Sequence, residues 1–578
     1  FFMQETELVE VETSKAFLFA AINKGQSPLS WQDANRAVAQ FPRGHVDVLR
    51  WEQDQRHAAF RAMDRLPLLA KAAVVAPSPS PMPLPAGDPL VIPGLDQYLQ
   101  AQGTAGLVVI QDGKVRLERY GQDFDSKGRW TSFSVAKSFT STLVGAAVQD
   151  GSIRSLEDKV SEYIPDLRGS AYDDVTIRQL LTMSSGVRWN EDYEDPQADV
   201  AKFNNAKPDA GVDATVSYMR KLPRAHPPGE VWHYNTGETN LIGVLVSSAT
   251  GKPLAQYLQE KIWHPAGMEA EATWLQGKTG HEIAGCCLQA ATRDFARFGL
   301  FVLANGQANG VQVVPVDWFS QATRKQKDIG EAGRGYGFQW WTYDDGAVAA
   351  QGIFGQGIFI DSSRRLVIAS NSNWSRATLG PEPKAREAFY AQVRALVDVE
   401  AESVAAPKST GAATAFFDGL KPLCGKTFEG KIVADQPPPA ADDPFVGKRL
   451  LMHVRDCEAR EVRIPFTVGE DRSRTWIISR TESGLRLKHD HRHADGTPDD
   501  LTMYGGETLS SGTARRQSFP SDAETVALFT KQDRLISVPN VWSLELNDTR
   551  TFVYELRRPS GRLFRVEFDL TRPVAQAP

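Results

Sequence analysis

The residues best suited to chemistry in this chain are Ser134 and Lys137, three apart in the stretch 130–153, WTSFSVAKSFTSTLVGAAVQDGSI. A serine hydroxyl is a weak nucleophile at neutral pH and needs a base within hydrogen-bond reach. Three residues is close to one helical turn, so both side chains would share a face. A lysine held there out of water can lose its proton, because burial disfavours the ammonium. A helix N-terminus adds N–H groups and a positive field beside the serine, which also helps an amine to deprotonate. Ser-x-x-Lys alone is a short pattern that equally marks an exposed helix start, so its meaning depends on its company.

Two further stretches supply that company. His233-Tyr234-Asn235-Thr236 follows the turn Pro227-Pro228-Gly229-Glu230 and precedes a helix. A phenol there could relay a proton if neighbouring cations favour phenolate; it could equally be a packed loop residue. The run 350–357, AQGIFGQG, leads into a strand. Acyl transfer needs two N–H donors aimed at the developing oxyanion. Ser134 carries one, and a glycine-rich edge strand, where the backbone can approach closely, can carry the other. The same run also reads as a plain hairpin. His489, His491 and His493 alternate along a strand-like run and so share a face. Three imidazoles can hold zinc. With no fourth ligand and with Asp490 and Arg492 interleaved, a solvated strand without metal is the expectation.

The elements that must position these groups are legible in the patterning. Phe139, Leu143, Val144, Ala147 and Val148 recur at helical spacing after Ser134, and Gly151 stands where a helix-terminating glycine belongs. Upstream, alternating runs flank Asp112-Gly113, a hairpin turn. Residues 154–300 read as helices and loops; strands return near 336–341 and 352–370, and a helix follows over 384–399. Strands at both ends with helices between predict an antiparallel sheet facing a helical lobe, an α+β arrangement spanning 105–399. Before it, residues 1–75 read as a helical extension without chemistry, and the proline-rich 76–104 as a tether or surface strap. Residues 400–415 are small, polar and linker-like. The remainder, 416–578, is dense in short strands and predicts a β-barrel or sandwich.

Composition narrows the function classes. A chain of 578 residues, 41% apolar and with 13 tryptophans, is globular and long enough for two or three domains. A net charge of −6 argues against nucleic acid or an anionic membrane as partner. No run of about 18 apolar residues is present, so no bilayer-spanning segment is expected. The cysteines 286, 287, 424 and 457 match no zinc pattern. The adjacent pair is not expected to close an ordinary, relaxed disulfide, whereas Cys424 and Cys457 can pair or stay free. The chain opens on Phe1 without a recognisable signal peptide; with a leader removed, a periplasmic or secreted location is expected over a cytoplasmic one.

Ser-x-x-Lys at a helix start, a tyrosine about 100 residues on and a glycine-rich edge strand later together resemble the serine β-lactamase superfamily. That superfamily includes penicillin-binding proteins, class C β-lactamases and family VIII carboxylesterases. The likeness is stronger still to the 6-aminohexanoate-dimer (nylon-oligomer) hydrolases. It is carried by SVAKSF from 134, VQDGSI from 148, EYIPDL from 162, NEDYEDP from 190 and TRDFARFG from 292, within 105–398. The resemblance implies an acyl-enzyme hydrolase with no metal or organic cofactor. In it Ser134 would be nucleophile, Lys137 base and Tyr234 proton relay. The N–H groups of Ser134 and Ile353 would form the oxyanion hole, with Tyr193, Asn204 and Gly352 against a small-molecule ester or amide. A homodimer is left open.

The departures are informative. Asn204 stands where those hydrolases have an aspartate gripping the substrate's ammonium. The pocket tryptophan has no counterpart in 204–209. The third position of the Tyr-x-Asn pattern is Thr236 rather than asparagine, and Gln351-Gly352-Ile353 replaces Lys-Thr-Gly. These losses point away from β-lactamase or D-amino-acid peptidase activity and towards an ester or linear amide. The alternative of another class is a non-hydrolytic binding protein on the same fold. Cys286 and Cys287 fall beside the pocket, where a structural role is expected.

Overall fold

In a computed structural model, residues 53–65, 71–203, 206–405, 411–440, 443–547 and 550–575 are described. They form two units, one of residues up to 89 together with 99–382, the other of 90–98 and 383–578.

The first unit is built on a seven-stranded antiparallel sheet. Across it run Lys114–Tyr120, Thr104–Gln111, Leu366–Ser372, Gln356–Asp361, Val348–Gly352, Trp341–Tyr343 and Arg334–Tyr336. The expected hairpin is present, Gln111 pairing with Lys114, with Asp112 and Gly113 both at positive φ (50° and 74°). That conformation is what a two-residue turn between right-twisting strands requires. Strands from the two ends of the segment pair within this sheet, Val108 opposite Ala369, which gives the α+β arrangement expected.

Helix Ala136–Gln149 is the axis of this unit. It is buried from Ala136 through Ala147, and the hydroxyls of Ser138, Thr140 and Thr142 donate to the carbonyls of Gln339, Ala284 and Ser138. Phe139 stacks on Phe298 with ring centroids 3.7 Å apart. Gly145 is needed because a Cβ there would lie 2.6 Å from the indole of Trp318. The helix ends at Gly151 in the left-handed region (φ 76°). A four-stranded sheet of Ala72–Val75, Ala272–Leu275, Leu288–Ala290 and Trp130–Thr131 leads into it. The proline-rich segment lies along this unit up to Gly87: Ser78 and Met82 donate to the carbonyls of Met268 and Gly267, and Gly87 to that of Val115.

The second unit is a ten-stranded antiparallel sheet, nearly closed. Its edge strands, Tyr504–Glu507 and Arg516–Pro520, approach where Asp522 N–H donates to Gly505 O (3.0 Å). Strand Glu461–Val468 alternates half-buried and buried residues, putting Val462, Ile464, Phe466 and Val468 inside. The helix expected over 384–399 runs Glu382–Ala405 and, from Pro383 on, groups with this unit.

The adjacent cysteines and the histidine strand depart from the sequence reading, and the other cysteine pair settles what it left open. Cys286 and Cys287 are bonded to each other, Cys287 adopting φ 72°. Cys424 and Cys457, left open above, are also bonded. Of the three histidines, His489 is 2% exposed and His491 half-buried on strand Leu485–His491, because closure of the sheet encloses that side, whereas His493 lies past the strand and is exposed. No described helix is long and apolar enough to cross a membrane.

Candidate active site

The strand Trp130–Thr131 delivers the chain to the site. Ser132 N–H donates to Leu288 O (2.8 Å), and its hydroxyl accepts from Leu288 N–H (3.1 Å), pinning the entry. Phe133 then turns at φ 41°, so Ser134 falls in the 3-10 turn Phe133–Val135 just ahead of the α-helix. Ser134 is 8% exposed and Lys137 1%.

Lys137 Nζ lies 3.2 Å from Ser134 Oγ, 3.1 Å from Thr236 Oγ1 and 2.7 Å from Gly285 O. Burial lowers its pKa to about 8, against the opposing charge of Glu191. The directions of these hydrogen bonds follow from chemistry. A carbonyl only accepts, so Gly285 O takes one amine hydrogen. The Thr236 hydroxyl donates to the Glu191 carboxylate, so towards Lys137 it accepts. A neutral amine has two hydrogens and one lone pair. With both hydrogens committed, the lone pair faces the hydroxyl of Ser134.

Glu191 and Thr236 are what sequence reasoning missed. Glu191 also receives Thr236 N–H (2.9 Å), the Tyr193 hydroxyl (2.7 Å) and the Trp189 indole N–H. It lies in the motif NEDYEDP, where nothing local marks it apart from the neighbouring acids. Thr236, at the position of the missing amide, hydrogen-bonds the lysine. Asn235 caps helix Thr236–Thr250, accepting from Glu238 N–H (3.1 Å), and so fixes the turn that presents Tyr234.

Tyr234 packs beside the pair, with Lys137 Nζ 5.4 Å from its ring centroid and Trp341 stacked at 5.6 Å. Burial, with the Glu191 charge adding to it, raises the phenol's pKa, while a hydrogen bond with Ser134 opposes. The phenolate entertained above is therefore corrected: the resting group is a neutral phenol, a proton donor. Tyr193 is engaged by Glu191, and its pKa is raised by burial and by that carboxylate.

Gly352 ends the strand Val348–Gly352 against the nucleophile's turn. A Cβ on it would lie 2.7 Å from Ser132 O and 3.1 Å from Ser134 N, so only glycine permits this approach. Ile353 follows directly, 9% exposed. Asn204 lies outside the described residues. Among the described residues, no group of three or more His, Cys, Asp or Glu is arranged to hold a metal. A separate cavity of about 640 Å³, lined in part by Tyr163, Asp213, Lys252 and His281, shares no residue with this cluster. There Asp213 caps helix Ala214–Met219 and pairs with His281 at 2.8 Å.

A nucleophile, a buried amine and a close glycine strand define a class, and the comparisons name it. A model of the Beta-lactamase family matches residues 95–392, more than half of the chain, and the chain belongs to that family. Within it, the chain is 29% identical over 324 residues to a 6-aminohexanoate-dimer hydrolase of Paenarthrobacter ureafaciens, covering 53% of this chain and 81% of that one. A β-lactamase of Pseudomonas fluorescens is 28% identical over 187 residues, 30% of this chain and 48% of its own length. A solved structure from Bacillus anthracis, provisionally assigned as a 6-aminohexanoate-dimer hydrolase, aligns with a TM-score of 0.53 and 26% identity. It covers 61% of this chain and 96% of that one.

Proposed function

We propose that this chain is a serine hydrolase that cleaves an ester or linear amide through an acyl-enzyme on Ser134. The observation that carries the reading is the buried Lys137, its two hydrogens committed to Gly285 and Thr236 and its lone pair left for Ser134. As Ser134 Oγ attacks the carbonyl carbon, Lys137 takes its proton. The negative oxygen that forms is held by the N–H groups of Ser134 and Ile353, preorganised donors that need not reorient as charge develops. Collapse breaks the bond to the alcohol or amine, which leaves with the proton of Tyr234; the ammonium of Lys137 returns a proton to the phenolate. Water then repeats the cycle on the acyl-enzyme.

What surrounds these groups supports an ester or linear amide as substrate. The hydroxyl of Thr236 is engaged by Lys137 and Glu191, so it does not replace the amide donor a β-lactam would meet. Tyr193 and Gly352 border the space for the substrate's carbonyl and amide, and the names of the relatives make a linear 6-aminohexanoate amide a substrate to try first among amides. The test compares p-nitrophenyl esters, linear 6-aminohexanoate dimer and a chromogenic cephalosporin, together with labelling by a fluorophosphonate probe. Ester hydrolysis fastest of the three and a mass increment on Ser134 are expected. A cephalosporin as best substrate would overturn the substrate class, and absence of labelling would leave a binding protein on a hydrolase fold.

A further inference from the structure

The segment ahead of the catalytic unit gave no chemical signal in its sequence, yet its residues reach the backbone on both sides of the proposed oxyanion donors. Ser134 is preceded by Phe133 at φ 41°, and Ile353 is followed by Phe354 at φ 58°. Bulky residues avoid this left-handed region, and such backbone persists only where the surroundings over-determine it. Here the surroundings include a third aromatic ring. Phe60, at the end of helix Gln53–Phe60 and 0% exposed, sets its ring 5.0 Å from that of Phe133 and 5.4 Å from that of Phe354. The two flanking rings are themselves 5.7 Å apart, and Trp130 closes the group at 5.8 Å from Phe60.

The same helix grips the backbone behind Phe354. Arg56, 5% exposed, lies with its guanidinium 4.3 Å from the Phe354 ring centroid and donates to Trp374 O (2.7 Å) and Ser375 O (3.0 Å). The Asn373 side chain donates to Gln53 O (2.6 Å), and Gln53 donates back to Asn373 O (2.5 Å). Trp374 N–H in turn donates to Phe354 O (3.2 Å), and Phe354 N–H to Ala377 O (2.9 Å). One short helix therefore meets the residue before one donor and the residue after the other.

We infer that Phe60 is a positioning residue: it holds Phe133 and Phe354 in the left-handed conformations that aim the Ser134 and Ile353 N–H groups at a common point. This rests on the proposed acyl-transfer reading. An oxyanion site needs its donors fixed before charge develops, because donors free to turn away lose most of their advantage. Phe60 is fully buried, and its effect passes through the two phenylalanines.

The experiment compares the full-length protein with Phe60→Ala and Phe60→Leu, using p-nitrophenyl butyrate for turnover and phenylboronic acid as a tetrahedral mimic of the transition state. For Phe60→Ala, kcat is expected to fall about 10- to 100-fold with KM within about threefold, and the boronate's Ki to rise in step with the loss of kcat/KM. Phe60→Leu should recover part of both. The acid limb of the pH profile should stay where it is in the unsubstituted enzyme, since Lys137 is held by Thr236 and Gly285. If Phe60→Ala fails to fold, Phe60→Leu carries the comparison, and it must still weaken the boronate more than a ground-state product acid. Unchanged kcat and boronate affinity in folded variants would overturn the inference. Ser134→Ala serves as reference: if it keeps full turnover, the acyl-enzyme reading itself fails, a result separable from any outcome at Phe60.

Discussion

Two of the buried polar centres among the described residues, one in each unit, make a useful contrast. In the first, Ser134, Lys137, Thr236 and Glu191 form a chain of hydrogen bonds. In the second, His489 sits between Tyr504 O (3.1 Å, on Nδ1) and the Tyr554 hydroxyl (2.9 Å, on Nε2), stacked on the Tyr504 ring at 4.7 Å. Direction is fixed in both. The Tyr504 carbonyl only accepts, so Nδ1 carries the proton and Nε2 receives the Tyr554 hydroxyl. Every position of that imidazole is satisfied in its neutral form, and burial, with help from His491 and Lys488, lowers its pKa to about 3. The proposed catalytic centre differs at its end: its chain stops at a lone pair facing the Ser134 hydroxyl, on an amine whose pKa is lowered to about 8 by burial. Burial of polar groups does not separate structure from chemistry. What separates them is whether the network closes on itself and whether its titration falls near working pH.

The largest effects should come from breaking the open end. Ser134→Ala and Lys137→Ala are each expected to cost about a thousandfold or more in kcat, measured on p-nitrophenyl esters, with the fold intact by circular dichroism. In the unsubstituted enzyme the base works only as the free amine. Turnover should therefore be weak below pH 8, rise through about 8 as Lys137 loses its proton, and level off above. Glu191→Gln sharpens the contrast. Removing the carboxylate charge lowers the Lys137 pKa further, so the acid limb should move to lower pH. The plateau should fall at the same time, by about tenfold or more, because a glutamine amide can donate to Thr236 and turn that hydroxyl towards the lysine. A plateau loss without movement of the limb would mean that Glu191 only supports the loop. Thr236→Val should give a smaller loss, with Thr236→Ser restoring most of it.

The catalytic centre was legible where chemistry rests on local spacing. Ser134 and Lys137 had to share a turn because three residues span one, and the Gly352 approach follows from a glycine on an edge strand. The hairpin at Asp112-Gly113 and the sheet built from both ends were readable for the same reason: periodicity and turn residues are local signals. Glu191 was not readable, since it reaches Thr236 across 45 positions and only the folded chain brings them together. Phe60 was hidden in a charged helical pattern whose partners, Phe133 and Phe354, lie far along the chain. In the barrel, alternation correctly put His489 and His491 on one face but could not say that closure of the sheet buries it. Pattern gives the face; topology decides which side is inside.

That last point gives the smallest and most diagnostic test. His489→Gln removes the titrating group from the closed centre while keeping a side chain that can hydrogen-bond. Turnover should stay within about twofold, because nothing in the catalytic centre depends on it. Stability should fall by about 1–3 kcal/mol, as expected when one buried polar group loses a well-matched partner. The pH dependence carries the sign. Folded His489, with its pKa at about 3, stays neutral, while unfolded histidine takes up a proton below its ordinary value of 6.5. Its contribution is therefore complete above that value and declines as pH falls from 6.5 towards 3. Thermal stability of the unsubstituted protein should fall between pH 7 and pH 5, and in His489→Gln that slope should be shallower. An unchanged slope would mean that the barrel's imidazole is not the closed, neutral counterpart of the open lysine, and the comparison between the two centres would lose its second half.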